Sequence, residues 1–326
     1  MQINSLSISS DASNIAFSLS SGFAIYSLDP LNLVNKSNFQ GQITNNAIPI
    51  PDSPVVVFNG SNGQSNFSDR SVCAFDYQEH RPTLDIECSE SIKKICATKS
   101  YFAVLFKSEV KIYRFIPAGL VLQLRYPSFD TNNIPFDMVE ISPQNSIIDT
   151  SLLANKLKIA VCKHDDTGVV KITSCPTRSE EDILINAASH PLSIVKFNHD
   201  GTLIATASEH GTIIRVFNAE NSQLVKECRR GSFPANIFSV SFSWHTSFDK
   251  ILLAAISANG TVHIFSMKSD NNRSVMGVKL GTINGGALAF TPTGKLAVAT
   301  TAGKLMMYNC DEINNSVNKE NEVSIL

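Results

Sequence analysis

Short apolar runs separated by polar turns fill this chain, and the clearest example lies within residues 190–231. Four runs there are rich in β-branched residues, and turns holding glycine, asparagine or aspartate divide them: 193–197, 203–208, 212–217 and 223–228. Runs of this length between such turns are typical of β-strands, and no helical period is present. The segment therefore predicts four consecutive strands.

The same unit of apolar runs recurs further along the chain, at 236–265 and at 286–308. A glycine opens the third run of four successive units, with spacings of 43, 49 and 43 residues: Gly168, Gly211, Gly260 and Gly303. These spacings lie close to the period of about 40–45 residues that one four-stranded propeller blade requires. The repeat therefore predicts a propeller.

In the front half of the chain the same unit of apolar runs recurs less regularly. Four further units there are centred on 6–26, 55–75, 94–115 and 158–172. Together with the three later units they predict an all-β fold, a seven-bladed β-propeller of WD40-like four-stranded blades.

The blade pattern ends near Cys310, so we expect a single propeller at 1–310 and a polar, asparagine-rich C-terminal tail at 311–326. Polar stretches at 59–70 and 126–150 are expected to be insertions. Either the tail or the N-terminus is expected to complete the last blade.

Composition narrows the function classes. The 326 residues are 43% hydrophobic and carry a formal net charge of −2, so no global basic field indicates nucleic acid. The N-terminus lacks the features of a signal peptide, and no apolar run reaches the roughly 18 residues that span a bilayer. The seven cysteines form no CxxC pair, which favours free buried thiols in a reducing compartment over disulfides or zinc. No cofactor or metal is expected.

Two arginines, Arg229 and Arg230, stand side by side at the end of the apolar run that begins at Leu224, just before Gly231. Adjacent side chains of a strand point to opposite faces, so the pair can serve two pockets, one on each side. A guanidinium group is always charged and suits a phosphate or carboxylate. An ordinary edge strand with two solvated arginines remains the alternative.

The surroundings of this pair resemble the PROPPINs, the phosphoinositide-binding propellers that include the WIPI proteins. Their Phe-Arg-Arg-Gly or Leu-Arg-Arg-Gly signature lies between a Ser-x-x-Gly-Thr-x-x-Arg pattern and a Ser-x-x-Gly-Thr-x-His pattern. Here the two patterns are Ser208–Arg215 and Ser257–His263, and the segment Gly22–Pro30 is similar to the family's first blade. Cys228 stands where the family has Phe or Leu, and the family's long amphipathic loop is replaced by the short polar stretch Lys268–Met276.

The resemblance implies two headgroup pockets, to which phosphates would be bound by guanidinium, imidazole and hydroxyl donors. The candidate headgroup-binding residues are His190, Ser208, Thr212, Arg215 and Arg229 in the first pocket, and Arg230, Ser257, Thr261 and His263 in the second. Each has a structural alternative, since hydroxyls also tie turns together and histidine or arginine also covers strand faces.

By this resemblance we expect a peripheral membrane adaptor that recognises phosphatidylinositol 3-phosphate and phosphatidylinositol 3,5-bisphosphate. It would act in autophagy or in endosome and vacuole traffic, as a cytoplasmic protein on autophagosomal precursor, endosomal or vacuolar membranes. Autophagy or trafficking proteins would bind the edge near the second and third blades. The alternatives are a protein-only WD40-like scaffold without lipid binding, and a propeller hydrolase. No GxSxG, HExxH or P-loop pattern supports an enzyme.

Overall fold

The computed structural model describes residues 2–39, 43–61, 67–128, 134–141, 156–163, 167–175 and 182–325. These residues form seven antiparallel sheets of four strands each, and every sheet uses four strands that are consecutive in the chain. The first strands of neighbouring sheets contact one another around a closed ring. The predicted seven-bladed propeller is therefore confirmed.

The first four blades contain strands β1 to β16. Blade 1 contains β1 to β4, at Ile3–Ile8, Asn14–Leu19, Gly22–Leu28 and Leu31–Asn38. Blade 2 contains β5 to β8, at Thr44–Pro49, Val55–Gly60, Ser71–Asp76 and Arg81–Glu87. Blade 3 contains β9 to β12, at Lys94–Ala97, Tyr101–Leu105, Glu109–Arg114 and Gly119–Arg125. Blade 4 contains β13 to β16, at Phe136–Ile141, Lys156–Cys162, Gly168–Cys175 and Ile183–Ala188.

The last three blades contain strands β17 to β28. Blade 5 contains β17 to β20, at Leu192–Phe197, Leu203–Ser208, Ile213–Asn218 and Leu224–Arg229. Blade 6 contains β21 to β24, at Ile237–Phe242, Leu252–Ser257, Thr261–Ser266 and Met276–Lys279. Blade 7 contains β25 to β28, at Gly286–Phe290, Leu296–Thr300, Lys304–Asp311 and Ser316–Ser324.

The hydrophobic core of the described residues is divided among the interfaces between neighbouring blades. One cluster packs blade 5 against blade 6, and another closes the ring by packing Phe17 of blade 1 against Met307 of blade 7. The described part contains one helical element, a 3-10 turn at Phe248–Lys250, so no helix there has the length and hydropathy needed to cross a membrane.

The structure corrects the expectation of a polar tail at 311–326. Residues 316–324 form β28, which pairs along the whole of β27 and is the outermost strand of blade 7. Outermost strands of the other blades, such as β4 and β8, are also largely exposed. The polar composition therefore reflects the exposure of an outer strand, and the C-terminal segment rather than the N-terminus completes the last blade.

The structure also corrects the expectation of a polar insertion at 126–150. Residues 136–141 within it are β13, the first strand of blade 4, which pairs with β14. Polar residues at Asp137 and Glu140 interrupt the apolar pattern of this short strand and hide it in the sequence. Of the other expected insertion, 59–70, the ends belong to or adjoin β6 and β7, and 62–66 lie outside the described residues.

Candidate functional site

Arg229 ends β20, and its side chain lies on the face of blade 5 that looks toward blade 4. Along this face Arg229 pairs with Ile213, and Glu227 pairs with Arg215. Paired residues of an antiparallel ladder share a face. Nη1 of Arg215 donates a hydrogen bond to the carbonyl oxygen of Ala187 in blade 4, at 3.1 Å. The exposed guanidinium of Arg229 makes no hydrogen bond or ion pair with any described residue, so it is free to bind an anion.

The opposite face of β20 packs against blade 6. Cys228 is fully buried there, in the cluster that includes Val240 and Leu253, and burial raises the pKa of its thiol to about 12. The thiol is therefore a neutral packing group, as expected for the position where the family has Phe or Leu. Arg230 follows the same alternation toward blade 6. The arginine pair is thus divided between two faces.

Arg230 is only 8% exposed, so the alternative of two solvated arginines does not hold for this residue. Its Nε donates to the carbonyl oxygen of Gly211 at 2.7 Å, and its Nη2 donates to that of Phe233 at 2.5 Å. Burial lowers the pKa of Arg230, although a guanidinium remains charged at neutral pH. Arg230 therefore ties the turn after β18 to the linker that leaves blade 5.

The second pocket brings Ser257, Thr261 and His263 together with Arg230. The three residues lie on the face of blade 6 whose apolar members pack against blade 5. Ser257 is 1% exposed, and its Oγ has no hydrogen-bond partner among the described residues. Nδ1 of His263 lies 3.3 Å from Oγ of Ser274. Burial first, and the charge of Arg230 next, lower the pKa of His263, so the imidazole is neutral at pH 7.

The lowered pKa of His263 predicts that the protein loses stability as the pH falls below about 6.5, because unfolding then lets this imidazole take up a proton. The contribution of His263 to the free energy of unfolding is fully present above the pKa that this imidazole has in the unfolded chain. It declines as the pH falls toward the lower pKa of the folded state. Urea unfolding at several pH values should show this slope, and His263→Gln should reduce it. The same slope in the variant would contradict the assignment.

The first pocket is more open and contains His190, Ser208, Thr212 and Arg215. The ring of the exposed His190 contacts that of His210 edge-on, with centroids 4.9 Å apart. Ser208 is half-buried on the face directed at blade 4, and the carbonyl oxygen of Thr212 accepts a hydrogen bond from the backbone N–H of Arg230. Ser208 and Arg215 therefore lie on the side of β20 that Arg229 faces, whereas the backbone of Thr212 pairs with Arg230 and His190 contacts His210.

The sequence did not reveal that Arg215 already has a carboxylate partner. Its Nε lies 2.7 Å from Oε1 of Glu227, directly across the strand pair. Arg215 is thus held by Glu227 and by Ala187, and among the described residues expected in this pocket Arg229 is the cation that makes no side-chain bond. The signal was available, since Glu227 lies two residues before Arg229 and shares its face.

The short stretch Lys268–Met276 runs along the outer edge of β20. The backbone N–H of Arg229 donates to the carbonyl oxygen of Asn272 at 2.6 Å, and Nζ of Lys226 donates to that of Ser269. At its end, Val275 and Met276 pack into the cluster between blades 6 and 7. The stretch therefore braces the backbone of Arg229, and its two adjacent apolar residues are already used in packing.

Comparison with known proteins agrees with this architecture. A sequence model of the family described as PROPPIN matches residues 177–278, the segment that contains both pockets. SVP1-like protein 2 of Schizosaccharomyces pombe is 27% identical over 274 residues, which cover 83% of this chain and 69% of that protein. Autophagy-related protein 18 of Phaeosphaeria nodorum is 48% identical over 95 residues, which cover 29% of this chain and 22% of that protein. The chain is therefore similar to the PROPPIN family, and the match to the family model is confined to 177–278.

Solved structures share the fold of this chain. That of Kluyveromyces lactis Hsv2 with complete loop 6CD has a TM-score of 0.77 at 18% identity and covers 100% of this chain and 99% of its own. The complex of KlAtg21 with the coiled-coil of AgAtg16 gives a TM-score of 0.76 at 18% identity and covers 100% of both chains. At this identity the likeness concerns the fold, and the residues of the site have to be judged on their own geometry.

Proposed function

We propose that this chain acts as a PROPPIN, a peripheral membrane adaptor that binds phosphatidylinositol 3-phosphate and phosphatidylinositol 3,5-bisphosphate through two pockets, one on each side of Arg229 and Arg230. It would act in autophagy or in endosome and vacuole traffic. The first pocket uses Arg229 with His190, Ser208, Thr212 and Arg215. The second uses Arg230 with Ser257, Thr261 and His263.

One observation carries the proposal: Arg229 lies on the face of β20 that it shares with Glu227, whereas Arg230 is directed toward the face of blade 6 that holds Ser257 and His263. A phosphomonoester carries about −1.5 to −2 charges at neutral pH and offers three strong acceptor oxygens. Arg229 supplies an unpaired guanidinium, and the buried Oγ of Ser257 supplies a hydroxyl without a protein partner. A solvated arginine pair would account for Arg229 but not for a buried hydroxyl without a partner.

We also propose that the chain holds an autophagy protein while it is on the membrane, since a structurally similar propeller, KlAtg21, has been solved with the coiled-coil of AgAtg16. The edge of blades 2 and 3 is the proposed place. Their outer strands β8 and β12 are largely exposed, and Leu120 of β12 is 53% exposed.

Vesicle flotation tests the lipid proposal. Vesicles of phosphatidylcholine would contain one of several phosphoinositides, or enough phosphatidylserine to match their total charge. We expect binding to vesicles with phosphatidylinositol 3-phosphate or 3,5-bisphosphate, and little binding to the charge-matched phosphatidylserine vesicles. Equal binding to both would show that the basic groups act only as a charged patch. Absence of binding to all of them would leave the protein-only scaffold.

Salt should weaken this binding clearly. Exposed charges such as Arg229 are screened over a Debye length of about 8–10 Å near physiological ionic strength. Val275 and Met276 are packed into the propeller and are not available to the bilayer. Flotation with rising sodium chloride checks this, and salt-independent binding to neutral vesicles would show that apolar insertion dominates instead.

A further inference from the structure

Phe233 stands out among the apolar side chains near the arginine pair because it is 79% exposed. It lies in the linker 230–236 between β20 and β21, between the exposed residues Ser232 and Pro234. We call the turn 209–212 together with this linker the linker rim. A single exposed aromatic is common on protein surfaces. Phe233 differs from such residues in its position beside the arginine pair and in the hydrogen bonds that fix its backbone to the propeller.

The linker that carries Phe233 is fixed to the propeller. Nη2 of Arg230 donates to the carbonyl oxygen of Phe233 itself, and the backbone N–H of Ala235 donates to the carbonyl oxygen of His210 at 3.1 Å. The linker also lies so close to the turn that a Cβ on Gly211 would be 2.1 Å from the carbonyl oxygen of Ala235. The phenyl ring therefore projects from a backbone that the second pocket's own arginine positions.

Other exposed apolar side chains in blades 5 and 6 lie elsewhere. Within the described residues of these blades, Leu224 and Val225 begin β20 at its other end, and Phe248 lies in the connection between β21 and β22. Val275 and Met276 are packed in the core. Phe233 is thus the large apolar group that the described linker rim presents beside Arg229 and Arg230.

We propose that Phe233 inserts into the lipid bilayer when the arginine pair holds phosphoinositide headgroups. The inference rests on the proposed function and adds to it the residue that contacts the acyl region. An aromatic ring beside cationic groups suits the membrane interface, where headgroup phosphates lie next to apolar chains. Because Arg230 holds the carbonyl of Phe233, headgroup binding and ring insertion involve one rigid unit, and the short loop Lys268–Met276 is not needed for insertion.

Vesicle binding by Phe233→Ser measures the contribution of the ring. Burial of such a side chain corresponds to roughly a tenfold to hundredfold gain in affinity, so we expect the variant to bind phosphatidylinositol 3-phosphate vesicles about tenfold more weakly. Its affinity for the soluble headgroup, inositol 1,3-bisphosphate, should equal that of the wild type. Ile313→Ser is the matched control, since Ile313 is 91% exposed in the turn between β27 and β28, and it should bind vesicles as the wild type does.

Insertion itself can be observed with Phe233→Trp. The native Trp244 is the single tryptophan of the chain, and its Nε1 donates to the carbonyl oxygen of Phe290, so its emission provides a constant background. The added tryptophan should shift to shorter wavelength and be quenched by brominated acyl chains only when phosphoinositide is present. Wild-type vesicle affinity in Phe233→Ser, or no quenching of Phe233→Trp on bound vesicles, would overturn the insertion proposal and leave headgroup binding standing. Failure of the wild type to bind either vesicles or soluble headgroup would overturn both proposals.

Discussion

Replacing both Arg229 and Arg230 with threonine should abolish binding to phosphoinositide vesicles, and each single replacement should weaken it. A hydrogen bond to a charged group contributes roughly 1.5–3 kcal/mol, which is about a tenfold to hundredfold change in affinity at one site. In the proposed site the two guanidinium groups serve different pockets, so each single variant should keep one pocket. Two pockets on one membrane also gain from effective concentration, and the loss should therefore be larger on vesicles than with soluble headgroup.

The two single variants should differ in stability. Arg229 is exposed and makes no side-chain contact of its own with charged or polar groups of the described chain, so Arg229→Thr should unfold like the wild type. Arg230 is buried and bonds the carbonyl oxygens of Gly211 and Phe233, so Arg230→Thr should lower the free energy of unfolding by about 1–3 kcal/mol. It should also loosen the linker that carries Phe233.

Calorimetric titration with soluble headgroup checks the division of the site. The wild type should bind about two headgroups, and Arg229→Thr and Arg230→Thr should each bind one. Arg81→Thr, at an exposed position that begins β8, is the matched control and should behave as the wild type does. A folded double variant that still binds phosphoinositide vesicles with wild-type affinity would remove the lipid function and leave the scaffold.

The division of the arginine pair could be predicted from the sequence because it depends only on the alternation of side chains along a strand. The burial of Arg230 could not, because it depends on the linker folding back so that its carbonyls reach the guanidinium. A neighbour from the connection between β23 and β24, Ser274 beside His263, could not be predicted for the same reason. The pattern of residues along the chain predicts local structure. Contacts between residues on the two sides of a turn become visible only in the folded structure.

The outer strands show a second limit to what the sequence pattern can predict. Most inner strands are apolar and can be recognised in the sequence, with β13 as an exception, whereas β28 is exposed almost throughout and resembles a tail. Its role is set by pairing: β27 requires a partner for its outer backbone groups, and β28 supplies it. Hydrophobic pattern therefore identifies strands in proportion to their burial.

Gly260→Ala should be the most destabilising small change in the second pocket. Gly260 has φ +65°, and a Cβ built on it would lie 1.4 Å from the carbonyl oxygen of Gly281. The connection after β24, which contains Leu280 and Gly281, is held to this turn by a hydrogen bond from the backbone N–H of Leu280 to the carbonyl oxygen of Gly260, at 2.7 Å. The methyl group must push this backbone away and the residue must keep a left-handed conformation, so we expect a loss of more than about 4 kcal/mol.

Gly294→Ala separates the cost of the steric clash from the cost of the left-handed backbone conformation. Gly294 also has a positive φ, +89°, but its Cβ would meet nothing within 4 Å, so only the conformational cost of about 1–2 kcal/mol should remain. Urea unfolding of the two variants gives the comparison directly. Since Gly260 follows Ser257 and precedes Thr261 in the turn of the second pocket, Gly260→Ala should also reduce binding at that pocket, whereas Gly294→Ala should leave both pockets intact. Equal losses of stability in the two variants would mean that the linker after β24 moves freely and does not hold the turn of the second pocket in place.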